Sequence, residues 1–187
     1  DQSELLRKLD TERAADVLEA MTRTLTLLGN MLASCEEAKL ACVSLQLPLL
    51  LLRLWPLGAA HASVRTQLLS LLCNYIAHCP AAKASLAAYS DAKGRCLAIL
   101  IIQMLCKPPR ASQPPLAEAH WAYGWAAMAT LATSAESRAM LLKAQLVNRA
   151  IPLLGRSLGI ADERRAAPVL DFVANLGARR GQRAAAQ

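Results

Sequence analysis

The segment LLSLLCNYIAHCPAAKASL, residues 68–86, predicts two helices separated by a sharp corner. Its first half is apolar apart from Ser70 and Asn74, which lie four residues apart and therefore on one face of a helix. Pro80 is tolerated in the first turn of a helix but not in its interior, so the chain is expected to break near His78 and restart directly afterwards. The polar Asn74 near the end of an apolar helix is the unusual feature, and it recurs elsewhere in the chain.

Asn74 marks a repeat, because three other segments align with it when the sequence is compared with itself. In each full copy a small or polar residue is followed three residues later by Ala and nine residues later by Lys or Arg. The sets are Asn30/Ala33/Lys39, Asn74/Ala77/Lys83 and Ala129/Ala132/Arg138, with Asn175 and Ala178 in a weaker fourth copy. The first residues of the copies are 44, 55 and 46 residues apart, and periods of about 40–47 residues are typical of armadillo and HEAT units.

Each unit is predicted to contain a long helix, a corner, a short helix and a medium helix. Long helices are expected over 10–32, with Asp10 as N-cap, and over 62–78, 116–133 and 162–176. Short helices are expected over 36–44, 81–88 and 135–143, and medium helices over 48–54, 95–106 and 147–158. The predicted fold is an all-α, armadillo/HEAT-like, right-handed α-solenoid of three to four repeats. It forms one domain over 1–187, with units 10–54, 62–106, 116–158 and 162–187, and is expected to be a fragment of a longer protein.

The charge is uneven along the chain. The net charge is +7, and residues 94–187 carry twelve Lys or Arg against five Asp or Glu, whereas residues 1–93 carry nine of each. A basic end face is predicted from Arg164, Arg165, Arg179, Arg180 and Arg183. One interpretation is that this face binds an acidic partner or nucleic acid. The other is that it is a solvated helix surface on which the aliphatic parts of the Arg side chains cover apolar groups.

The residue pattern disfavours an enzymatic function and insertion into a membrane. The six Cys lie in or beside apolar helical runs without a C-x-x-C pair, which favours reduced thiols, a cytoplasmic compartment and no metal or other cofactor. Phosphate-binding, serine-hydrolase and zinc-protease motifs are lacking, so neither an enzyme nor a small-molecule substrate is expected. The apolar runs are too short or too interrupted to cross a bilayer.

The polar face of each long helix is the candidate binding site. In an armadillo unit the long helix lines a concave groove, so its polar row is expected to face a partner. The predicted groove residues are Thr26, Asn30, Ser70, Asn74, His78, Trp121, Trp125, Asp171 and Asn175. For the two Trp residues two interpretations remain, an exposed aromatic patch that anchors a partner or a position in the core.

The strings LTLLGNMLASCEEAKLACVSLQLPLLLLRLWPL (25–57) and LLSLLCNYIAHCP (68–80) resemble the rotatin family of centriolar and basal-body proteins near its C-terminal end. The likeness extends through MATLATSAESRAMLL and RRAAPVLDFVANL. It implies a non-catalytic scaffold for centriole or basal-body assembly or maintenance and for ciliogenesis. It further implies location at the centrosome, centriole and ciliary base, with centriolar proteins as partners.

Three alternatives compete with that expectation. A generic armadillo adaptor would bind peptides in the groove, and the basic C-terminal half could contact nucleic acid, although this is disfavoured. An importin-like carrier requires a Trp four residues before each Asn, but Thr26, Ser70 and Asp171 occupy those positions.

Overall fold

The computed structural model describes residues 2–90, 94–106, 118–143, 148, 150–153, 155 and 163–177, with the side chains of 2–11 and 163 left out of the description. Within these ranges all regular secondary structure is α-helical. The helices are α1 (Gln2–Ser34), α2 (Glu36–Ser44), α3 (Leu47–Ala60), α4 (Ala62–Ile76), α5 (Pro80–Ala88), α6 (Leu97–Leu105), α7 (Glu118–Ala132), α8 (Ala135–Lys143) and α9 (Glu163–Gly177). Residues 150–153 are also helical, while the rest of the predicted helix 147–158 is mostly outside the described residues.

Two predicted helix ends are wrong. The first helix begins at Gln2, so Asp10 lies inside it and is not its N-cap. Residues 2–9 are rich in Leu, Glu, Lys and Arg, all strong helix formers, and they extend the helix. The helix predicted to end at Leu54 continues through Pro56 to Ala60.

Arg65 stabilises the C-terminal end of α3. Its Nε donates to the carbonyl oxygen of Gly58 at 2.8 Å, and its Nη2 donates to that of Ala59 at 2.6 Å. The last carbonyls of a helix lack partners within the helix and carry partial negative charge, so a guanidinium at this end stabilises it. A side chain from α4 therefore caps the C-terminal end of α3.

Corresponding corners of the repeat use the same local chemistry. Before α2 the Sγ of Cys35 accepts from the main-chain N–H of Ala38, and before α8 the Oγ of Ser134 accepts from that of Ser137, each at 3.4 Å. Side-chain acceptors at this position satisfy amide groups that a helix N-terminus leaves open. The two corners lie at equivalent places in the predicted repeat.

The helices contact one another in three rows. The long helices α1, α4, α7 and α9 pack successively, the short helices α2, α5 and α8 do the same, and α3 packs against α6. The buried apolar core runs continuously from Leu25 in α1 to Leu176 in α9. The molecule is all-helical in its described part, and this order of contacts is compatible with an α-solenoid.

A glycine in α7, Gly124, lies in close contact with the Leu105 side chain of α6. A Cβ built on Gly124 would lie 2.8 Å from Cδ2 of Leu105, closer than side-chain atoms normally approach. The absence of that carbon lets α7 lie directly on α6, which positions the long helix that carries both tryptophans.

Candidate protein-binding surface

The predicted groove row divides into exposed and partly buried residues. Thr26 and Asn30 on α1, His78 at the second corner and Asp171 on α9 are exposed, whereas Ser70 on α4 is half-buried. The hydroxyl of Thr26 donates to the carbonyl oxygen of Thr22 at 2.9 Å, so part of its polarity is used within the helix. The exposed members are spread over the first, second and fourth long helices or their ends, and they form the accessible polar part of the row.

Asn74 contacts the preceding long helix, which differs from its predicted place at an open groove. Its side chain is half-buried, and Nδ2 donates to the carbonyl oxygen of Gly29 at 3.0 Å. Asn175 makes the same kind of contact between α9 and α7, with Nδ2 donating to the carbonyl oxygen of Ala129 at 3.1 Å. A carbonyl oxygen has two lone pairs, so it is able to accept this bond in addition to one within its own helix. The repeated Asn joins successive long helices.

The basic residues of the predicted repeat reach in the opposite direction, to a long helix that lies later in the chain. Lys39 is buried, and its Nζ donates to the carbonyl oxygen of Ala77 at 2.6 Å, just beyond the end of α4. Lys83 donates through Nζ to Oγ1 of Thr133 at 2.7 Å, directly after α7. A cation at a helix C-terminus is favourable because the unpaired carbonyls there carry negative charge.

Arg138 is the third basic residue that donates to a later long helix. Its Nη1 donates to the carbonyl oxygen of Asn175 at 3.2 Å, near the end of α9. The sequence identified Lys39, Lys83 and Arg138 as markers of the repeat but not as contacts between units. Their constant position, nine residues after the first residue of each copy, was the available signal.

Trp121 and Trp125 are core residues, so the predicted exposed aromatic patch is wrong. Trp125 is fully buried, and its ring lies 5.8 Å from that of Trp121 and 5.3 Å from that of Phe172, measured between centroids. Trp121 donates through Nε1 to the carbonyl oxygen of Arg165 at 3.2 Å. Aromatic rings at such separations and tilts stabilise one another beyond simple burial. The two Trp residues therefore join α7 to α9.

The basic end face is described at two of its five residues. Arg164 is exposed, whereas Arg165 is half-buried with its guanidinium carbon 5.6 Å from the centre of the Trp121 ring. That position is a cation–π contact, so Arg165 contributes to the α7–α9 packing. Arg179, Arg180 and Arg183 lie outside the described residues.

His120 forms a polar contact between α4 and α7 that sequence reasoning did not identify. Its Nε2 lies 2.8 Å from Oγ1 of Thr66 and 3.0 Å from the carbonyl oxygen of Ala62, while its buried Nδ1 has no hydrogen-bond partner among the described residues. Burial lowers the pKa of His120; the hydrogen bond to the Ala62 carbonyl partly opposes this, and the positive charge of Arg65 adds a further, smaller lowering. Because a carbonyl oxygen only accepts hydrogen bonds, Nε2–H is the donor to Ala62, and the lowered pKa favours the neutral form of the ring.

Two of the thiols, those of Cys42 and Cys73, are poor nucleophiles. Burial raises the pKa of the Cys73 thiol to about 12, and it also raises the pKa of Cys42. All six Cys are free thiols. The thiolate is the reactive form, so these two side chains behave as small apolar groups that fill space between helices.

No single helix in the described ranges is long and apolar enough to cross a membrane. Taken together, α2 and α3 have the length and apolar composition of a membrane span, but they are bent by 81° relative to each other. Among the same residues no three His, Cys, Asp or Glu side chains come together in a way that could hold a metal ion. Comparison with protein-family models, with curated proteins and with solved structures gave no match.

Proposed function

We propose that this chain is a non-catalytic protein-binding scaffold, built as a right-handed α-solenoid of the armadillo/HEAT type. The observation that carries the proposal is the two-way contact between successive units. The Asn of one unit donates to the long helix before it, and the Lys or Arg of one unit donates to the end of the long helix after it. Contacts that repeat from unit to unit are typical of repeat arrays, which use an extended surface to bind partners.

The exposed polar side chains of the predicted groove row are the partner-binding surface of this scaffold. Because both Trp residues are buried, the exposed members of the row are Thr26, Asn30, His78 and Asp171, which favour hydrogen bonds to an extended or helical segment of a partner. Polar contacts of this kind, held on rigid helices, confer specificity with modest affinity. A docking platform within a larger assembly fits that behaviour.

The proposed place of action is the centriole and basal body. This part rests on the resemblance of residues 25–57 and 68–80 to the rotatin family, and it names centriolar or centrosomal proteins as the partners. Asn74 and Lys39, which both lie within the resembling strings, contact neighbouring helices through their side chains, and this is consistent with a structural use of those residues.

Localisation in ciliated cells tests both parts of the proposal. The fluorescently tagged chain is expected to concentrate at centrioles, and the double variant Thr26→Glu/Asp171→Arg is expected to lose that signal because it changes the charge of the polar row. Ala84→Glu on α5 is the matched control, since Ala84 is exposed in the row of short helices.

A signal away from centrosomes and ciliary bases would contradict the centriolar assignment. A centriolar signal that the double variant leaves unchanged would instead exclude the polar row as the binding surface. Circular dichroism of all three proteins establishes that the substitutions leave the helices intact.

A further inference from the structure

The contact between α4 and α7 lacks the interhelical Asn that joins the long helices on either side of it. Asn74 in α4 donates to Gly29 in α1, and Asn175 in α9 donates to Ala129 in α7. In α7 the equivalent position of the predicted repeat is Ala129, whose side chain has no donor. We call the contact of α4 with α7 the middle junction. Its polar contacts come from other side chains.

His120 is the histidine of the middle junction, and its surroundings suit only a neutral ring. It is 3% exposed, and Nε2–H donates to the carbonyl oxygen of Ala62 at 3.0 Å in the first turn of α4. The buried Nδ1 has no hydrogen-bond partner among the described residues. A neutral ring leaves Nδ1 without a proton, whereas an imidazolium carries N–H donors on both nitrogens and would leave one of them unsatisfied.

The charged groups near His120 are mostly positive. From α4, the guanidinium of Arg65 acts on the ring, and the titratable His61 lies at the N-cap of the same helix. From α9, Arg165 lies over the neighbouring indole ring. On α7 itself Glu118 is exposed, and in the described part of the chain no carboxylate lies within ion-pair distance of His120.

The other neighbouring segments add no negative charge. α6, which packs on α7, contains no charged residue, and α3 contains none after Arg53. Residues 107–117, which precede α7, contain two basic residues but no Asp or Glu. Cys73, which donates through Sγ to the carbonyl oxygen of Tyr123 across the same junction, keeps its proton because burial raises its pKa to about 12.

Protonation of His120 is therefore costly while the middle junction is closed. It would place a positive charge in a buried position beside Arg65, and a buried charge without a partner is strongly unfavourable. Opening of the junction brings the ring into water, where its pKa returns to about 6.5. Below that pH, proton binding favours the open form over the closed one.

We propose that the middle junction is an acid-sensitive hinge, at which protonation of His120 separates α7–α9 from α1–α6 while the contact of α1 with α4 stays closed. The Asn and Lys side chains that join α1 to α4 do not titrate between neutral and mildly acidic pH. The proposal goes beyond the scaffold role, because it concerns movement within the chain and does not depend on what the polar row binds.

Hydrogen exchange followed by mass spectrometry tests the proposal, with rates at about pH 7.5 and about pH 5.5 corrected for intrinsic amide chemistry. A 15-residue helix without tertiary contacts is marginally stable, so opening of the junction exposes the amides of α7. Their opening constant is expected to rise severalfold at the lower pH, with a ceiling of about tenfold set by one proton and an open-state pKa of about 6.5. The amides of residues 25–32 in α1 are expected to change by less than about twofold.

Two matched variants assign the response to one ring. In His120→Gln an amide donor remains for Ala62 but the titratable group is gone, so α7 is expected to exchange equally at both pH values. His61→Gln makes the same substitution at the N-cap of α4, where the His side chain makes no capping hydrogen bond, and is expected to respond like the original chain. An unchanged response in His120→Gln would overturn the proposal, and so would equal loss of protection in α1 and α7, which indicates global unfolding.

A titration of the original chain keeps the proposal testable if His120→Gln fails to fold. The ring signals of the three His residues in an NMR spectrum are assigned by the loss of one signal each in His61→Gln and His78→Gln. The third signal, from His120, is expected to titrate below about 6.5 and together with the change in α7 exchange. Titration of His120 at its ordinary pKa with no change in α7 would overturn the hinge.

Discussion

Truncation of Trp125 to Ala should unfold the molecule at much lower denaturant concentration. The side chain is fully buried, and its ring packs on Trp121 and on Phe172 across the α7–α9 contact. Removing a buried Trp in this way costs about 3–5 kcal/mol of unfolding free energy through lost burial and the cavity left behind. With a denaturant slope of about 2 kcal/mol per molar urea, the unfolding midpoint should fall by about 2 M.

Urea unfolding followed by circular dichroism at helical wavelengths measures this shift without depending on Trp fluorescence. Tyr123→Ala is the matched control, because Tyr123 is an exposed aromatic on the same helix, and it should change the unfolding free energy by less than about 0.5 kcal/mol. Trp125→Phe should cost less than Trp125→Ala, since it keeps a ring in place and removes the buried Nε1–H that has no acceptor. A loss below about 1 kcal/mol for Trp125→Ala would refute the core assignment and return Trp125 to the partner-binding surface.

Three further predictions follow from contacts between the long helices. Asn74→Ala should lower the unfolding free energy by about 1 kcal/mol in urea titrations, whereas Asn30→Ala, at the exposed equivalent position, should change it little in the monomer; equal effects would contradict the interhelical role of Asn74. The free energy of unfolding should fall as pH decreases below about 6.5, because the unfolded chain protonates His120 while the folded chain, with its lowered pKa, does not. His120→Gln should flatten this decline, and an unchanged slope would contradict the role of His120. Cys73, whose pKa is raised to about 12, should react with iodoacetamide far more slowly than Cys35 at neutral pH, as mass spectrometry of timed samples would show; equal rates would mean that Cys73 is accessible.

The amino-acid sequence determines the helices and corners of this molecule because their causes are local. Pro80 begins α5, and the side-chain acceptors at Cys35 and Ser134 begin α2 and α8. The periodicity of Leu and Ala predicts where most helices lie, and the spacing of Asn and Lys predicts which residues occupy equivalent places. The helix and corner signals lie within a few turns of the chain, so they can be recognised in the sequence without knowledge of distant contacts.

Only the tertiary structure decides what those equivalent residues do. The partner of Asn74 is a carbonyl 45 residues away, and that of Lys39 is 38 residues away, so neither is visible in local sequence. The position of Trp125 depended on the rotation of α7, and a change of one residue turns a side chain by about 100° around a helix. Whether a side chain faces a groove or a neighbouring helix is thus set by how helices pack, and local preferences for helix formation carry no information about that packing.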